Sequence, residues 1–305
     1  MGGPTAPRDV CSTSGGRARA CGWTVGQSVI GETGRAAAAG WEVDRSAEQC
    51  PSGRRLYGRR MARIVFDEWI AERYERLWPE LFDPAVLDPA VDLLAELAGA
   101  GPALEFGVGT GRVALPLSRR GILVRGIELS PAMVTRLRAQ DGGAGIDVVV
   151  GDFATATAGA PVALVYLLRN TITNLTSQDE QVQAFGNAAA HLRPGGCFLI
   201  ENYVPQLRRL PPDETTHVFA ATSDHVGVEE YEVAAQLAVS RHYWNLDGQL
   251  RTFSSTHRYA WPAELDLMAR IAGLRLRHRW GDWHRTPFTG ESRSHISVWE
   301  KPVHP

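Results

Sequence analysis

A glycine-rich stretch at residues 105–111 carries the strongest chemical signal in this sequence. It reads Glu105-Phe106-Gly107-Val108-Gly109-Thr110-Gly111. Glycines permit a sharp turn and a close approach of the backbone to a ligand, and the free amides of a following helix point at that ligand. A dinucleotide fingerprint requires G-x-G-x-x-G, but its third glycine would fall on Arg112. The acid Glu105 in front of the loop favours a ligand with an ammonium or sulfonium group over a phosphate-rich one.

Two further acids occupy positions suited to the rest of a nucleoside ligand. Glu128 ends the second predicted strand, where a carboxylate can accept hydrogen bonds from a ribose diol. Asp152 follows the third predicted strand and can accept from an exocyclic amine, while Phe153 beside it can lie against a purine. Each acid also has a plain interpretation, since Glu128 can be a surface residue near a helix start and Asp152 an ordinary turn residue.

Alternating strands and helices are required to position these residues. Short apolar runs at 103–106, 123–128, 147–150, 162–168 and 197–203 predict five strands, and a sixth and seventh follow at 274–280 and 294–300. Amphipathic segments lie between them, and Ser177 with Glu180 forms a capping box for one helix. Strands separated by helices indicate a Rossmann-like, doubly wound α/β fold with a mainly parallel sheet covered on both faces.

The chain divides into five predicted segments. They are residues 1–60, a disordered or mis-called extension; 61–98, N-terminal helices over the ligand site; 99–205, the ligand-binding core; 206–260, an inserted antiparallel lid; and 261–305, which complete the sheet. The first segment is rich in Gly, Ala, Ser and Arg and has no apolar period, which is typical of disorder. The lid is predicted from strand-like runs and a hairpin turn at residues 245–248.

These features in this order resemble the class I S-adenosylmethionine (SAM)-dependent methyltransferases. The resemblance covers residues 99–203 and includes the Leu-Arg-Pro-Gly-Gly stretch at 192–196 before the fifth strand. It implies an enzyme that takes SAM as methyl donor and releases S-adenosyl-L-homocysteine. It also implies a seven-stranded sheet in which an antiparallel seventh strand, here 294–300, lies between strands five and six.

The resemblance implies a set of cofactor-binding residues. In the family the glycine loop contacts the methionine and ribose of SAM, the acid at the Glu128 position holds the ribose hydroxyls, and the Asp152 position meets the adenine amine. A tyrosine of the N-terminal helix often meets the SAM carboxylate, which points to Tyr74. The expected set is Tyr74, Glu105, Gly107, Gly109, Gly111, Glu128, Leu129, Asp152, Phe153, Arg169 and Asn170.

The inserted segment resembles the lid of small-molecule methyltransferases that modify amines or hydroxyls on natural products and sugar nucleotides. Methyl transfer from a sulfonium releases a neutral group, so alignment and exclusion of water supply most of the acceleration. An amine acceptor must only lose a proton, whereas a hydroxyl benefits from a general base such as His. Both acceptors stay open, and the candidate catalytic residues are Tyr203, His225, His242, His257 and Trp283.

Composition narrows the classes of partner. The 305 residues are 44% hydrophobic and 22% charged with a net charge of −2, which predicts a globular protein without a nucleic-acid surface. No apolar run is long enough to cross a bilayer and no secretory signal is recognised, so we expect no membrane and a cytoplasmic location. Cysteine spacing predicts no metal site. An exposed lid edge is compatible with a homodimer.

Other functions stay open beside a methyltransferase. A methyltransferase of adenine or glutamine would carry an Asn/Asp-Pro-Pro-Tyr/Phe motif after the fourth strand, and a cytosine-C5 enzyme a Pro-Cys motif, but Arg169-Asn170-Thr171-Ile172 stands there. The alternatives are an NAD(P)-dependent oxidoreductase, which the missing third glycine disfavours, and a non-catalytic SAM-binding module.

Overall fold

A seven-stranded sheet forms the centre of the molecule. The computed structural model describes residues 66–159 and 161–303, and the predicted extension 1–60 lies outside them. The strands of this sheet are β1 (Ala103–Phe106), β2 (Val124–Glu128), β3 (Asp147–Val150), β4 (Val162–Leu167), β5 (Leu192–Tyr203), β10 (Arg275–Trp280) and β11 (Ser294–Glu300). Their order is β10-β11-β5-β4-β1-β2-β3. Strand β11 pairs antiparallel with both β5 and β10, which confirms the predicted place of the last strand.

Six α-helices flank the two sheets within the described residues. They are α1 (Glu68–Leu77), α2 (Pro84–Ala98), α3 (Ala114–Arg119), α4 (Pro131–Arg138), α5 (Gln178–His191) and α6 (Pro262–Ile271). The helix starts follow the sequence signals, because Ser130 caps α4 with Pro131 at the first position and Ser177 with Glu180 forms the predicted capping box of α5. The fold class is therefore the predicted Rossmann-like α/β architecture.

Apolar layers cover both faces of the central sheet. One layer contains Phe106, Phe198 and Trp299, and the other contains Leu117, Leu164 and Leu199. All six residues of β4 are buried, as expected of a central parallel strand. Because side chains alternate along β1, Phe106 enters the first layer while Glu105 faces the second.

A second sheet of four antiparallel strands forms the lid. Its strands are β6 (Thr216–Ala221), β7 (His225–Glu232), β8 (Leu237–Leu246) and β9 (Gln249–Arg258), paired in chain order. Asp247 and Gly248 both have positive φ, 54° and 76°, which is the conformation of a two-residue hairpin turn between β8 and β9. The inserted antiparallel lid is therefore confirmed.

Two strands differ from the sequence-based expectation. Strand β6 was not predicted, and its alternating half-exposed residues give a weak apolar signal. Strand β5 begins at Leu192 rather than at Cys197, because the Pro-Gly-Gly segment continues the pairing: Gly195 donates to the Lys301 carbonyl, and Lys301 donates to the Gly196 carbonyl. Among the described residues, no helix is long and apolar enough to cross a membrane.

Candidate active site

A cavity of about 680 Å³ lies at the carboxyl ends of the parallel strands. Its floor comes from the loops after β1, β2, β3 and β4, and its roof comes from α1 and the lid. Open α/β sheets bind ligands at this edge. The predicted cofactor residues in its wall are Tyr74, Gly107, Gly109, Glu128, Leu129, Asp152, Phe153, Arg169 and Asn170.

The three glycines of the loop after β1 have different surroundings. All three have positive φ, which disfavours any side chain. Gly107 and Gly109 line the cavity, and a Cβ on Gly107 would lie 3.0 Å from Thr171 Cγ2. Gly111 lies outside the cavity wall, and a Cβ there would lie 3.1 Å from Leu115 and Leu137. The packing of α3 against α4 therefore requires a glycine at position 111, and its predicted contact with the cofactor stays a prediction.

Glu128 is fixed by the backbone around it. Its Oε2 accepts from the Gly109 amide and its Oε1 from the Ser130 amide, each at 2.9 Å. The side chain is buried, and desolvation raises the pKa of Glu128 while these amides oppose the shift. The carboxylate therefore links the glycine loop to the start of α4 at the cavity wall.

Glu105 lies under the glycine loop rather than at its mouth. The side chain is 5% exposed and accepts from the Tyr166 hydroxyl at 2.9 Å. Burial raises the pKa of Glu105 to about 8, so the carboxyl is mostly protonated at pH 7. The expected negative charge at the loop mouth is not found, because burial disfavours it. Glu105 lines a small adjoining cavity of about 50 Å³ together with Tyr74, Arg112 and Arg169.

Asp152 and Phe153 reach the cavity from the end of β3. Asp152 is half-buried, and its Oδ1 accepts from the Ala154 amide at 3.0 Å. The Phe153 ring packs on Phe106 with 5.6 Å between ring centroids and 23° between the planes. One face of Phe153 is therefore taken by the core.

The loop after β4 holds two consecutive residues with positive φ, Arg169 at 53° and Asn170 at 59°. Such a conformation is strained for residues with a side chain. The Arg169 amide donates to Glu201 Oε2 at 2.8 Å, and Asn170 Oδ1 accepts from the Tyr203 amide at 2.8 Å. Trp283 donates from Nε1 to Glu201 Oε1 at 3.1 Å. Strand β5 thus clamps this loop in place.

Trp283 does not reach the cavity that the sequence assigned to it. The indole packs against the core layer behind Glu201, because the loop after β10 folds back and Trp280 bridges to Pro287. Its indole nitrogen donates to Glu201, which in turn accepts from the amide of the cavity residue Arg169.

Aromatic residues before, within and directly after α1 close one side of the cavity. Phe66, Tyr74 and Trp78 line it, and Trp78 meets the lid residue Trp244 edge to face at 5.7 Å. Burial raises the pKa of Tyr74. Its position beside the glycine loop places the predicted tyrosine at the expected wall.

Three lid histidines and Tyr203 line the cavity as predicted. One ring nitrogen of His225 lies 2.9 Å from a nitrogen of His242. His257 lies between Ser255, at 2.7 Å, and Thr173, at 3.3 Å. Burial lowers the pKa of both His242 and His257 to about 4, so both rings are neutral at pH 7.

Glu229 is the residue that the sequence reasoning missed. It lines the cavity from β7, accepts from the Tyr231 hydroxyl, and accepts from Ser240 Oγ at 3.0 Å. The hydroxyl of Tyr203 is buried beside it and has no hydrogen-bond partner among the described residues. Because side chains alternate along a strand, Glu229 lies on the same face of β7 as His225. This spacing of four residues was the signal available in the sequence.

Acidic groups outnumber basic ones in the cavity wall. The acids are Glu80, Glu128, Asp152 and Glu229, and among the described residues that line the wall Arg169 alone carries a guanidinium. The wall therefore suits a ligand with positive charge better than an anion. Within the described residues, no group of three or more His, Cys, Asp or Glu side chains is arranged to hold a metal ion.

Comparison with solved structures identifies the family. The chain is similar to the CcbJ methyltransferase from Streptomyces caelestis, with 37% sequence identity and a TM-score of 0.68 over 76% of this chain and 96% of that one. The protein belongs to the class I SAM-dependent methyltransferases. A family model described as a methyltransferase domain matches residues 103–196 of this methyltransferase. Its methyl donor is therefore SAM.

One curated relative and one further solved structure are also similar to the chain. The cypemycin N-terminal methyltransferase of a Streptomyces species is 26% identical over 245 residues, which cover 78% of this chain and 98% of that protein. The SAM-bound amino pentose methyltransferase CalS10 from Micromonospora echinaspora has the same fold, with 21% identity and a TM-score of 0.56 over 78% of this methyltransferase and 98% of CalS10.

Proposed function

We propose that this methyltransferase transfers the methyl group of SAM to the nitrogen of a small-molecule amine. The observation that carries the proposal is Glu229, an acidic side chain that the lid presents to the cavity. A carboxylate attracts a protonated amine, whereas a neutral hydroxyl acceptor gains much less from it. The similarity to a methyltransferase named for an N-terminal acceptor supports the same choice.

The residues at the floor of the cavity fit the methyl donor. We assign Glu128 to the ribose hydroxyls, because its two oxygens are already oriented by backbone amides and keep lone pairs free. Gly109 leaves the loop backbone open to the methionine part, since no atom lies closer than 4.0 Å to a Cβ built on it, and Gly107 lines the same cavity. We assign Asp152 to the adenine amine. Bound SAM supplies a methyl group on a positively charged sulfur.

Glu229 has two tasks in the proposed reaction. It holds the ammonium form of the acceptor by charge, and it then takes one proton so that the nitrogen lone pair is free to attack. Hydrogen bonds from Tyr231 and Ser240 keep the carboxylate oriented. Because His242 and His257 are neutral at pH 7, they do not offset the charge of the carboxylate.

The roof of the cavity orients the acceptor and excludes water. Trp78 and Phe253 close it from α1 and from β9, and Arg76 with Asp247 ties α1 to the turn of the lid at 2.8 Å. Alignment of nucleophile and methyl group in a closed pocket supplies most of the acceleration in such a displacement. No further acid is required, because the leaving group is neutral.

This proposal is tested with an amine and an alcohol that share the same carbon skeleton. The full chain is incubated with [methyl-14C]SAM and either phenethylamine or 2-phenylethanol, and radioactive product is counted. We expect methylation of the amine only. The Glu229→Gln variant should lose about 100-fold or more in kcat/KM, since both the charge and the proton acceptor are removed.

Glu230→Gln is the matched control for this experiment. Glu230 is the next residue on β7, points to the outer face, and pairs there with Arg241 at 2.8 Å. This variant should keep the parent activity. Equal methylation of the alcohol, or full activity of Glu229→Gln, would overturn the assignment of a nitrogen acceptor.

A further inference from the structure

The lid face that lines the cavity has two chemically different halves. Strand register places His242 opposite Phe253 in one row, and Ser240 opposite both Glu229 and Ser255 in the next. Residues directly opposite each other on one face of a sheet lie close enough to touch. An aromatic half and a polar half therefore adjoin in the middle of the lid.

The aromatic half is a shallow wall of rings. The Phe219 ring lies over Gly227, where a Cβ would come within 2.3 Å of it, and contacts His242 at 5.3 Å between ring centroids. The His225 and His242 rings lie nearly in one plane, 4° apart, with a nitrogen of each ring 2.9 Å from the other. The Trp78 ring is nearly perpendicular to that of His242, with 6.3 Å between the ring centroids. Aromatic rings arranged as a wall accept a flat apolar group.

The polar half carries hydroxyl and imidazole groups in a chain. Ser255 and Thr173 both contact His257, so hydroxyls flank the ring on two sides. The Tyr203 hydroxyl has no partner among residues 66–159 and 161–303, although it is buried. A buried hydroxyl without a partner is costly, and a ligand group that hydrogen-bonds to it removes the cost. This half is built for a ligand with several hydroxyl groups.

We infer that the acceptor is a two-part molecule, in which a polyhydroxylated part that carries the reacting atom is joined to a flat apolar group. The hydroxylated part lies against Ser240, Ser255 and His257, and the apolar group lies against Phe219, His242 and Phe253. The statement that the reacting atom is nitrogen rests on the proposed function, whereas the division into two parts rests on the lid alone.

Three probes separate the two parts by isothermal titration against the full chain saturated with S-adenosyl-L-homocysteine. N-methyl-D-glucamine has the amine and hydroxyls, N-benzyl-D-glucamine adds a flat group, and benzyl β-D-glucoside has hydroxyls and ring but no amine. We expect N-benzyl-D-glucamine to bind about tenfold or more tighter than N-methyl-D-glucamine, because the benzyl group leaves water.

Variants assign the effect to each half. Phe219→Ala should remove most of the advantage of the benzyl group and leave N-methyl-D-glucamine unaffected, while Ser255→Ala should weaken all three probes by severalfold. Phe219 is 42% exposed on the edge strand, so the substitution spares the core. The control is Val218→Ala on the opposite face of the same strand, where Val218 is 54% exposed.

Each outcome separates this inference from the proposed function. Equal binding of the two glucamines, or no binding of any probe by a chain that binds S-adenosyl-L-homocysteine, overturns the two-part acceptor. If benzyl β-D-glucoside binds as tightly as N-benzyl-D-glucamine and Phe219→Ala still weakens it, the two-part acceptor stands and the nitrogen assignment fails.

Discussion

Gly111 and Gly121 share a backbone conformation but not an environment. Their φ angles are 85° and 84°, but a Cβ on Gly111 would lie 3.1 Å from Leu115 and Leu137, whereas a Cβ on Gly121 would meet nothing within 4 Å. The two positions therefore separate the cost of positive φ from the cost of a steric clash.

The matched substitutions to alanine measure these two costs. We expect Gly121→Ala to lower the free energy of unfolding by about 1 kcal/mol, and Gly111→Ala to lower it by about 1–3 kcal/mol more because α3 and α4 must separate. Urea denaturation of both variants gives the difference. Equal losses would show that Gly111 is not required by packing.

Glu128 is the residue on which cofactor affinity should depend most. In Glu128→Gln the side-chain NH2 group faces the amide N–H of Gly109 or of Ser130, which is also a donor. The substitution also removes a charged acceptor of hydrogen bonds. With about 1.5–3 kcal/mol for a hydrogen bond to a charged group, Glu128→Gln should weaken binding of S-adenosyl-L-homocysteine by about 10- to 100-fold.

Titration calorimetry of the full chain checks this result. Glu229→Gln is the control, because it lies in the roof of the same cavity and should leave cofactor affinity within about twofold. Unchanged affinity in Glu128→Gln, with an unchanged melting temperature, would remove Glu128 from the cofactor site.

At the scale of elements, β5 holds together two loops. Glu201 accepts from the Arg169 amide and from Trp283, so it ties the loop after β4 to the loop after β10. This explains how Arg169 and Asn170 keep positive φ at the cavity wall.

A graded pair of variants tests this clamp. Glu201→Gln presents an amide to one of its two donors and should weaken binding of S-adenosyl-L-homocysteine by about tenfold, whereas Trp283→Phe removes one hydrogen bond and should weaken it by about threefold or less. The comparison uses titration calorimetry. A larger loss of affinity in Trp283→Phe than in Glu201→Gln would contradict the role of Glu201 as the residue that holds the loop after β4.

The secondary-structure elements also explain which residues of the candidate site could be predicted from the sequence. The glycine loop, Glu128 and Asp152 were predicted because each is bound to a strand end by local spacing. Glu229 was not predicted, although it shares a face of β7 with His225, because the sequence does not show which face of the lid meets the cavity. The sequence also does not show that Trp283 packs behind Glu201, since the direction of the loop after β10 depends on tertiary packing.

At the scale of the whole molecule, buried titratable groups set the pH dependence of stability. Burial lowers the pKa of His295 to about 3 and raises the pKa of Glu105 to about 8. The unfolded histidine binds a proton near pH 6.5, so its contribution to stability is present above that pH and is lost as the pH falls toward the folded value. The contribution of Glu105 is present below about pH 4.5 and is lost as the pH rises through 8.

Two variants with opposite effects check these signs. When the pH falls from 7 to 5, the free energy of unfolding of the parent should fall by about 2 kcal/mol relative to that of His295→Gln. The reason is that the unfolded histidine gains a proton that the folded one does not. Over the same change in pH, the free energy of unfolding of the parent should rise by about 2 kcal/mol relative to that of Glu105→Gln. Urea denaturation at both pH values gives the differences, and parallel curves for all three proteins would contradict the two shifts.

The position of the transferred methyl group decides whether this enzyme methylates nitrogen. The full chain is incubated with [methyl-13C]SAM and N-benzyl-D-glucamine, which offers one nitrogen and several hydroxyls in the same molecule, and the product is examined by 13C NMR. We expect a labelled N-methyl group that disappears with Glu229→Gln and persists with Glu230→Gln. A labelled O-methyl group as the main product would contradict this expectation.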